Sequence, residues 1–357
     1  MDIEVHQLLS NMDSGDAISN DAIELRNILR SRGYESNIYA RFIHPDAAAE
    51  CQPYKEHRKR SLAKNIAIFH HSIASEVSEY VRGAPDKKIM IYHNITPGHF
   101  FAPYDSHHAY LLKKGREDLK AYSGVPLLAL GDSSYNAAEL KGLDYPNVDV
   151  LPIVIGTKHL DSEPDKEVLK RYSDGKTNIL FVGRIAPNKK IEDIIKAFYF
   201  FQKYIQPSSR LLLAGSCKNM ENYRSTLEGL AEKLGAKDVV FTGHVKLPEI
   251  IACYRSSHLF LCMSEHEGFC VPLLEAMHFD IPVLAFESSA VPETMGYGGI
   301  VFKEKKWEEV AELMNIVLAD KALKKKVIEA QRRRLKDFDA EKIGERFLEY
   351  IEAVRAL

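Results

Sequence analysis

Short apolar runs alternate with amphipathic segments along the whole chain. The runs are rich in Val, Ile, Leu and Phe, and few of them are interrupted by polar residues. Continuous apolar runs of this kind are typical of strands that are buried on both faces of a parallel sheet. The predicted strands lie within residues 3–9, 36–42, 65–71, 88–93, 125–130 and 148–155, and then within 178–183, 210–215, 238–243, 258–263, 281–286 and 299–302.

The segments between these runs carry apolar residues at helical spacing. In residues 18–32 the apolar side chains fall on one face, and Gly33 follows as a helix cap. Residues 190–205 carry a second such stripe. The repeated strand–helix rhythm predicts two Rossmann-like, doubly wound α/β domains with parallel sheets. Two such domains are expected to face a cleft at the carboxyl ends of their strands, where open α/β sheets bind ligands.

A polar, charged stretch between Ile155 and Thr177 separates the two series of strands. It predicts a first domain over residues 1–157 and a second domain over residues 158–340. Residues 341–357 again carry apolar side chains at helical spacing, which predicts a terminal helix. This helix either packs as an ordinary terminal element or crosses back onto the first domain.

The composition narrows the class of protein. Of the 357 residues, 45% are hydrophobic and 27% are charged, as in globular proteins. The formal net charge of −2 argues against bulk nucleic-acid binding, which needs a large basic excess. The cysteines form no C-x-x-C pair, which favours free thiols in a reducing compartment. With no signal-peptide pattern and no apolar stretch near the ~20 residues of a membrane span, the sequence predicts a cytoplasmic protein.

The strongest candidate chemistry follows the apolar run that ends near Met263. A loop there contains Glu267, and Pro272 is well placed to begin a helix whose first turn includes Glu275. Amides at a helix start, together with the helix dipole, attract an anion such as a diphosphate. A capped helix explains Glu275 alone equally well, but it does not explain the combined run. The residues expected between the two carboxylates at this site are Gly268, Phe269, Cys270, Val271 and Leu273.

A basic pair follows the end of another predicted strand. Gly183 closes that strand, and Arg184 and Lys189 come after it. Arginine offers a planar fork to phosphate oxygens, and lysine offers a point charge. Two solvated surface charges are the alternative, which a glycine at the end of a buried strand makes less attractive.

These segments resemble the signature of the large family 4 of retaining glycosyltransferases. EGFCVPLLEAM resembles the E-x7-E motif of that family, and FVGRIAPNKKIEDIIKAF resembles its glycine–arginine and lysine segment. The likeness is strong over residues 178–302 and weak in the first half. It implies the GT-B fold and a retaining transfer of a mannose- or glucose-type hexose from a nucleotide-diphosphate-sugar.

The resemblance implies a role for each matching residue of the second domain. Glu267 would contact the transferred sugar, and Glu275 would hydrogen-bond the ribose of the nucleotide. Arg184 and Lys189 would hold the diphosphate and neutralise its charge as it leaves. The family often has glycine after this lysine, where the present chain has Lys190.

Other family positions are matched less fully. His244 follows a strand of the second domain, where it either borders the base pocket or is an ordinary loop histidine. His93 would lie near the donor sugar, although a lone histidine at a strand end is more often structural. The loop of residues 13–16 stands where the family has a glycine pair on the acceptor side. Gly15 supplies one glycine, but Asp16 replaces the second and either meets an acceptor hydroxyl or caps the helix.

The implied reaction uses no metal and no cofactor beyond its nucleotide-sugar substrate. The D-x-D string at residues 337–339 is expected to cap the terminal helix, not to bind a metal. GDP-mannose or a UDP-hexose would be the donor, and a glycan, lipid-linked or small molecule the acceptor.

The basic clusters of the chain allow two interpretations. They are either solvated helix faces or a surface for peripheral contact with anionic lipid at the inner face of the membrane. Two alternatives to hexose transfer also stay open. One is a sugar-nucleotide epimerase of the same architecture, and the other is a non-catalytic nucleotide-sugar-binding subunit.

Overall fold

The computed structural model describes residues 3–13 and 15–357, apart from the side chains of Thr157 and Lys158. The chain divides into two compact units. The first unit contains Met1–Gly98, His107–Gly156 and Phe338–Leu357, and the second contains His99–Ser106 and Thr157–Asp337. The central division therefore falls one residue before the expected boundary, and the segment His99–Ser106 lies with the second unit, not the first.

A seven-stranded parallel sheet forms the centre of the first unit. Its strands are β1 (Val5–Met12), β2 (Ile38–Ile43), β3 (Gln52–Pro53), β4 (Ile66–His71), β5 (Lys87–Tyr92), β6 (Leu128–Gly131) and β7 (Val148–Val150). They lie in the order β3-β2-β1-β4-β5-β6-β7, so the order of winding reverses between β1 and β4. The helices between them are α1 (Ala17–Ser31), α2 (Glu76–Gly83), α3 (Ser106–Ala121) and α4 (Ser134–Gly142).

A six-stranded parallel sheet forms the centre of the second unit. Helix α5 (Lys166–Tyr172) precedes the strands β8 (Thr177–Val182), β9 (Ser209–Ala214), β10 (Val239–Gly243), β11 (Leu259–Cys262), β12 (Val283–Phe286) and β13 (Ile300–Phe302). Their order is β10-β9-β8-β11-β12-β13, with the reversal between β8 and β11. The helices after β8 are α6 (Ile191–Tyr204), α7 (Glu221–Leu234), α8 (Leu247–Arg255), α9 (Val271–His278), α10 (Val291–Met295), α11 (Trp307–Ala319) and α12 (Lys321–Leu335).

The apolar pattern correctly predicted the two parallel sheets and the three helices expected over residues 18–32, 190–205 and 341–357. Each predicted apolar run overlaps a strand, but the run 148–155 yields only the short strand β7, and β3 was missed. Pro152 lies just beyond β7, and a proline cannot donate to a sheet ladder. Strand β3 has only two residues, Gln52 and Pro53, too few to produce an apolar run.

The terminal helix α13 (Ala340–Ala356) packs within the first unit. Phe347 and Ile351 are fully buried in the same hydrophobic cluster as Leu25 and Leu29 of α1. Burying each of these large apolar side chains stabilises the folded state by roughly 1.5–3 kcal/mol. The helix therefore belongs to the core of the first unit and completes it.

Candidate active site

The two segments with the strongest sequence signals follow neighbouring strands. Strand β8 pairs directly with β11, and the winding of the second sheet reverses between them. Gly183, Arg184 and Lys189 follow β8, whereas Glu267 and Cys270 follow β11. Ligands of open α/β sheets bind outside the carboxyl ends of the strands at such a reversal. The second unit therefore brings both segments to the position where its topology favours a ligand.

Glycines shape the backbone at the end of β8. Gly183 has a φ of +148° and Gly215, after β9, has a φ of +155°. A Cβ atom built on Gly215 would overlap the carbonyl oxygen of Gly183, so a side chain cannot be added there without moving the backbone. The close approach of these two backbones fixes the path by which the chain leaves β8 towards Arg184.

Hydrogen bonds between uncharged groups connect the loop after β8 to the loop after β11. The Glu265 amide donates to the carbonyl of Asn188 at 2.8 Å, and the Asn188 side chain donates to the carbonyl of His266 at 3.0 Å. The Glu267 amide donates to the hydroxyl of Ser289 at 2.7 Å. These bonds hold Glu267 opposite the loop that carries Lys189.

Lys189 and Glu267 form a direct ion pair at this place. The Lys189 Nζ donates to both carboxylate oxygens of Glu267 at 2.7 Å. The Glu267 side chain is 7% exposed and the Lys189 side chain 21% exposed. Burial lowers the pKa of Lys189, but the Glu267 carboxylate together with Cys270 and Cys262 raises it above its usual value. Lys189 is therefore a stable cation that a ligand can reach.

The residue after Lys189 explains why the resembled family often has glycine there. Lys190 has a left-handed backbone, with a φ of 52° and a ψ of 49°. Glycine adopts this conformation without the steric cost that a Cβ atom brings. The Lys190 side chain lies 3.4 Å from Glu265 and 3.5 Å from Glu192, so electrostatic contacts accompany the strained backbone.

The start of α9 differs in detail from the expectation. The helix begins at Val271, so Glu275 lies beyond its first turn, not within it. The Leu273 amide, expected to face an anion, donates instead to the Cys270 carbonyl at 3.1 Å. Because Pro272 has no amide proton, the expected anion site is confined to the amides of Cys270 and Val271.

The loop that leads into α9 is tightly packed. Cys270 has a left-handed backbone with a φ of 76°, which turns the chain into the helix. Phe269 is buried, and its carbonyl accepts a hydrogen bond from the Thr294 hydroxyl of α10. Gly268 is half-buried next to it. These residues shape the loop that holds Glu267, and their expected contact with a donor stays a prediction.

Glu275 has a specific hydrogen-bond partner. The Tyr254 hydroxyl donates to its Oε2 at 2.7 Å, and the carboxylate is half-buried. Burial raises the pKa of Glu275, and the hydrogen bond from Tyr254 opposes that rise. Sequence analysis did not single out Tyr254, because no spacing rule joins this residue of α8 to a glutamate of α9.

Arg184 and His244 are the exposed members of the set predicted in the second unit. The Arg184 guanidinium donates to the Lys218 carbonyl at 3.4 Å and interacts electrostatically with the Asp105 carboxylate. His244 follows β10 in an exposed loop. The contacts described above join Lys189 to Glu267, whereas Arg184 and Glu275 contact other residues.

The segment His99–Ser106 supplies residues that sequence analysis did not connect with this site. The Tyr104 ring packs edge-on against Tyr223, with centroids 4.9 Å apart. The Phe100 ring lies 6.4 Å from the ring of His266, next to Glu267. No local pattern predicts these contacts, because the segment lies between two elements of the first unit.

The predicted acceptor-side loop of the first unit is built around a helix cap. The Asp16 Oδ2 accepts hydrogen bonds from the Ser19 amide and the Ser19 hydroxyl, both at 3.1 Å. Gly15 has a φ of +80° and is exposed, while Ser14 lies outside the described residues. Of the two roles considered for Asp16, the structure therefore contains the helix cap.

His93 lies in a buried polar cluster of the first unit. Its Nδ1 is 2.8 Å from the Asp132 carboxylate, and its Nε2 is 2.8 Å from the Nδ1 of His70. Burial lowers the pKa of His93, but Asp132 together with the carboxylates of Asp21 and Asp16 raises it above its usual value. Both ring nitrogens are engaged within the unit, which favours a positioning role over direct contact with a sugar.

Two groups among the described residues have a geometry that could hold a metal ion. Asp21, His70 and His93 form one group, and the second contains Cys262, Glu267 and Cys270. In each group the ligand atoms lie within 4.8 Å of one another and are buried.

Among the helices of the described residues, none combines the length and the apolar character that a membrane span requires.

The second unit also carries the likeness to known proteins. The model of a family described as "Glycosyl transferases group 1" matches residues 161–334. This match supports a glycosyltransferase. The serotype-specific mannosyltransferase WbdA of Escherichia coli is 27% identical over 214 residues, which cover 58% of this chain and 24% of WbdA.

Two more proteins extend the comparison. A GDP-mannose-dependent alpha-(1-6)-phosphatidylinositol monomannoside mannosyltransferase of Mycobacterium tuberculosis is 26% identical over 53% of this chain and 52% of its own length. The chain thus spans about half or less of the length of these two curated relatives. The structure of Anabaena Alr3699/HepE in complex with UDP and glucose has a TM-score of 0.77 at 14% identity, covering 98% of this chain and 100% of that one. Together with the two strand orders, this likeness shows that the fold is GT-B, as predicted.

Proposed function

We propose that the chain is a retaining, metal-independent hexosyltransferase that uses a nucleotide-diphosphate-sugar as donor. The observation that carries the proposal is the Lys189–Glu267 ion pair at the reversal of the second sheet, next to the start of α9. A cation and a carboxylate held together there offer one partner for a phosphate and one for sugar hydroxyls. The match to the group 1 glycosyl transferases over residues 161–334 supports the same conclusion.

Departure of a sugar from a diphosphate creates negative charge on the phosphate and positive charge at the anomeric carbon. In the proposed mechanism Arg184 and Lys189 stabilise the leaving diphosphate, and the amides at Cys270 and Val271 add a partial positive charge. Lys189 is already oriented by Glu267, so little reorganisation is needed when the phosphate arrives. Glu275 binds the ribose, and its hydrogen bond from Tyr254 holds the carboxylate in place.

Retention can proceed through a carboxylate nucleophile or through attack on the same face that the diphosphate leaves. We favour same-face attack, with the leaving phosphate helping to deprotonate the acceptor. Both carboxylate oxygens of Glu267 accept hydrogen bonds from Lys189, which reduces the nucleophilicity of the carboxylate. Glu267 then orients the sugar and stabilises positive charge without forming a covalent bond.

The relatives guide the choice of donor and acceptor. The mycobacterial relative is named as GDP-mannose-dependent, and the Anabaena protein was crystallised with UDP and glucose. We therefore propose GDP-mannose or a UDP-hexose as donor, and a glycan or lipid-linked acceptor in polysaccharide or glycoconjugate synthesis. Transfer would take place in the cytoplasm, with peripheral contact at the inner face of the membrane when the acceptor is lipid-linked.

A screen of nucleotide-sugars by thermal shift tests the proposal directly. The expected result is stabilisation by one nucleotide-sugar, followed by release of its nucleoside diphosphate only when a suitable acceptor is added. Conversion of the donor to another sugar without acceptor would indicate the epimerase instead. Tight donor binding without turnover across a broad acceptor panel would favour the non-catalytic subunit. If no nucleotide-sugar stabilises the protein, the assignment of the donor site is wrong.

A further inference from the structure

A buried polar cluster at the carboxyl edge of the first sheet contains a second group of side chains that could bind a ligand. His70 lies near the end of β4, His93 follows β5, and Asp21 lies on α1. Their exposed fractions are 1%, 8% and 3%, so bulk water does not satisfy their polar atoms. Their hydrogen-bond partners therefore decide which ring nitrogens carry protons.

Gln7 fixes the proton on one nitrogen of His70. The Gln7 Nε2 donates to the Ala22 carbonyl at 2.8 Å, which directs the amide oxygen of Gln7 to the opposite side. That oxygen lies 2.8 Å from the Nε2 of His70. An amide oxygen only accepts, so the His70 Nε2 carries a proton, and the Nδ1 of neutral His70 presents a lone pair.

Asp132 fixes the proton on one nitrogen of His93 in the same way. Its carboxylate lies 2.8 Å from the His93 Nδ1, which therefore donates. In neutral His93 the Nε2 then presents its lone pair towards the His70 Nδ1, 2.8 Å away, with the rings inclined by only 5°. Two lone pairs repel at this distance, so the pair of rings needs one cation between them.

A carboxylate completes the surroundings of that position. One oxygen of Asp21 and one nitrogen of each histidine lie within 4.8 Å of one another. We propose that Asp21, His70 and His93 form a binding site for a divalent transition metal of borderline softness, such as Zn²⁺, and that a proton fills it when the metal is absent. Two imidazoles and one carboxylate are a ligand set that such metals accept, and a fourth position stays open for water.

The geometry requires a modest adjustment. Bond lengths of about 2.0–2.1 Å to a tetrahedral zinc place neighbouring ligand atoms about 3.3 Å apart. The two imidazole nitrogens at 2.8 Å would separate by roughly half an ångström, and Asp21 would move towards them. The charges are suitable, because Asp21 and Asp132 together balance a divalent cation.

The outer partners are already those that metal-binding histidines use. Such histidines usually donate their second ring nitrogen to a carboxylate or carbonyl, as His93 does to Asp132 and His70 does to Gln7. A bound metal would join α1, β4 and β5, and it should therefore stabilise the first unit. The inference does not rest on the proposed transfer reaction, because its three ligands belong to the first unit and the residues proposed to bind the diphosphate and the ribose belong to the second.

Titration of the full-length, chelator-treated protein with Co²⁺ tests the proposal. The expected result is visible ligand-field absorption that saturates at one equivalent, disappears on adding Zn²⁺, and is accompanied by a rise in Tm. Crystals grown with zinc should show one anomalous peak between His70 and His93. No stoichiometric binding to the wild-type protein would overturn the proposal and leave a proton as the shared cation.

Variants distinguish this site from the thiol-containing group of the second unit. His70→Gln and Asp21→Asn should abolish binding, and Gln7→Leu should weaken it by about 10–100-fold, as loss of an outer partner does. The double variant Cys262→Ser, Cys270→Ser is the matched control and should bind cobalt unchanged. An anomalous peak at the two cysteines in wild-type crystals, or loss of binding in the control, would also contradict the proposal. If a buried variant fails to fold, the cobalt titration and the anomalous peak of the wild-type protein still test the proposal.

Discussion

The two units repeat one strand order, but the polar side chains at the carboxyl edges of their sheets have different surroundings. In the second unit the Lys189 side chain keeps 21% of its exposure while it pairs with Glu267. In the first unit the side chains of His93 and Asp132 are 1% and 2% exposed and bind each other. The comparison teaches that topology indicates where a ligand site can lie, whereas the partners of each polar group decide whether it is available.

Replacing Lys189 should break the second-unit site most severely. Loss of a preorganised charge at a developing anion costs about 10²–10³-fold in rate, so we expect Lys189→Ala to lower kcat by that factor. The variant should also unfold at lower temperature, because Glu267 is left buried without its cation. Release of nucleoside diphosphate and thermal unfolding measure the two effects.

Lys305→Ala is the matched control for that variant. Lys305 is 14% exposed and pairs with Asp193 and Glu265 in the same unit. It should lose stability in a similar way while kcat stays within a few-fold of the wild type. Equal losses of rate in the two lysine variants would mean that the effect of Lys189 is structural.

Arg184 allows the charge effect to be separated from packing. Because Arg184 is exposed, Arg184→Ala should leave Tm nearly unchanged. We expect its turnover to fall about 10²-fold, since one donor to the leaving phosphate is lost. Steady-state kinetics should show the loss mainly in kcat and not in KM. An unchanged kcat would remove Arg184 from the site.

Glu275 should affect binding more than chemistry. A hydrogen bond to a charged group contributes about 1.5–3 kcal/mol, so Glu275→Ala should raise the Kd of the donor by about tenfold or more. Calorimetry with the donor identified by the screen measures this change. A full loss of turnover with unchanged Kd would instead place Glu275 at the reacting sugar.

Asp16 tests the other side of the comparison. Loss of a helix cap costs about 1 kcal/mol, so Asp16→Ala should lower the free energy of unfolding by that amount without changing donor affinity. Asp165, which caps α5 through the Val168 amide at 2.9 Å, provides a matched control in Asp165→Ala. Denaturant unfolding checks both. A loss of transfer in Asp16→Ala alone would restore its role at the acceptor.

The pH dependence of donor binding should show the smallest effect. Burial raises the pKa of Glu275 above 4.5, so donor affinity should fall as the pH drops through that raised value and the carboxylate becomes protonated. Because the hydrogen bond from Tyr254 lowers this pKa, Tyr254→Phe should move the acid limb to higher pH. Donor Kd measured across pH in both proteins tests the shift, and superimposable profiles would refute it.

The raised pKa of Glu275 gives protein stability a pH dependence opposite to that of donor binding. A carboxyl group with a raised folded-state pKa holds its proton more tightly in the folded chain than in the unfolded one. The contribution of Glu275 to the free energy of unfolding should therefore decline as the pH rises from the ordinary value of 4.5 through the raised value.

Much of the fold was predictable because continuous apolar runs report burial on both faces of a sheet. The loops after β8 and β11 were predictable as a site because their residue types and order form a distinctive pattern. The contact between Lys189 and Glu267 was not, since the two residues were assigned to separate parts of the donor. It depends on the pairing of two strands that are distant in the sequence.

Other features were beyond the sequence for similar reasons. His70, His93 and Asp132 lie on three different strand ends, and no spacing rule joins them. The role of Asp16 was ambiguous because a carboxylate before a helix serves equally as a cap or as a ligand contact. The path of His99–Ser106 depends on packing against Tyr223 and His266, which no local pattern records.

The crowded glycines at the ends of β8 and β9 have a consequence for how this protein can change. Gly215 tolerates no added carbon, because the carbonyl of Gly183 already occupies that volume. The close contact between main-chain atoms therefore fixes the path of the chain past Arg184, and replacing nearby side chains does not remove that contact. In the evolution of this sequence, the side chains of the loop after β8 can be replaced while the backbone path of the loop stays the same.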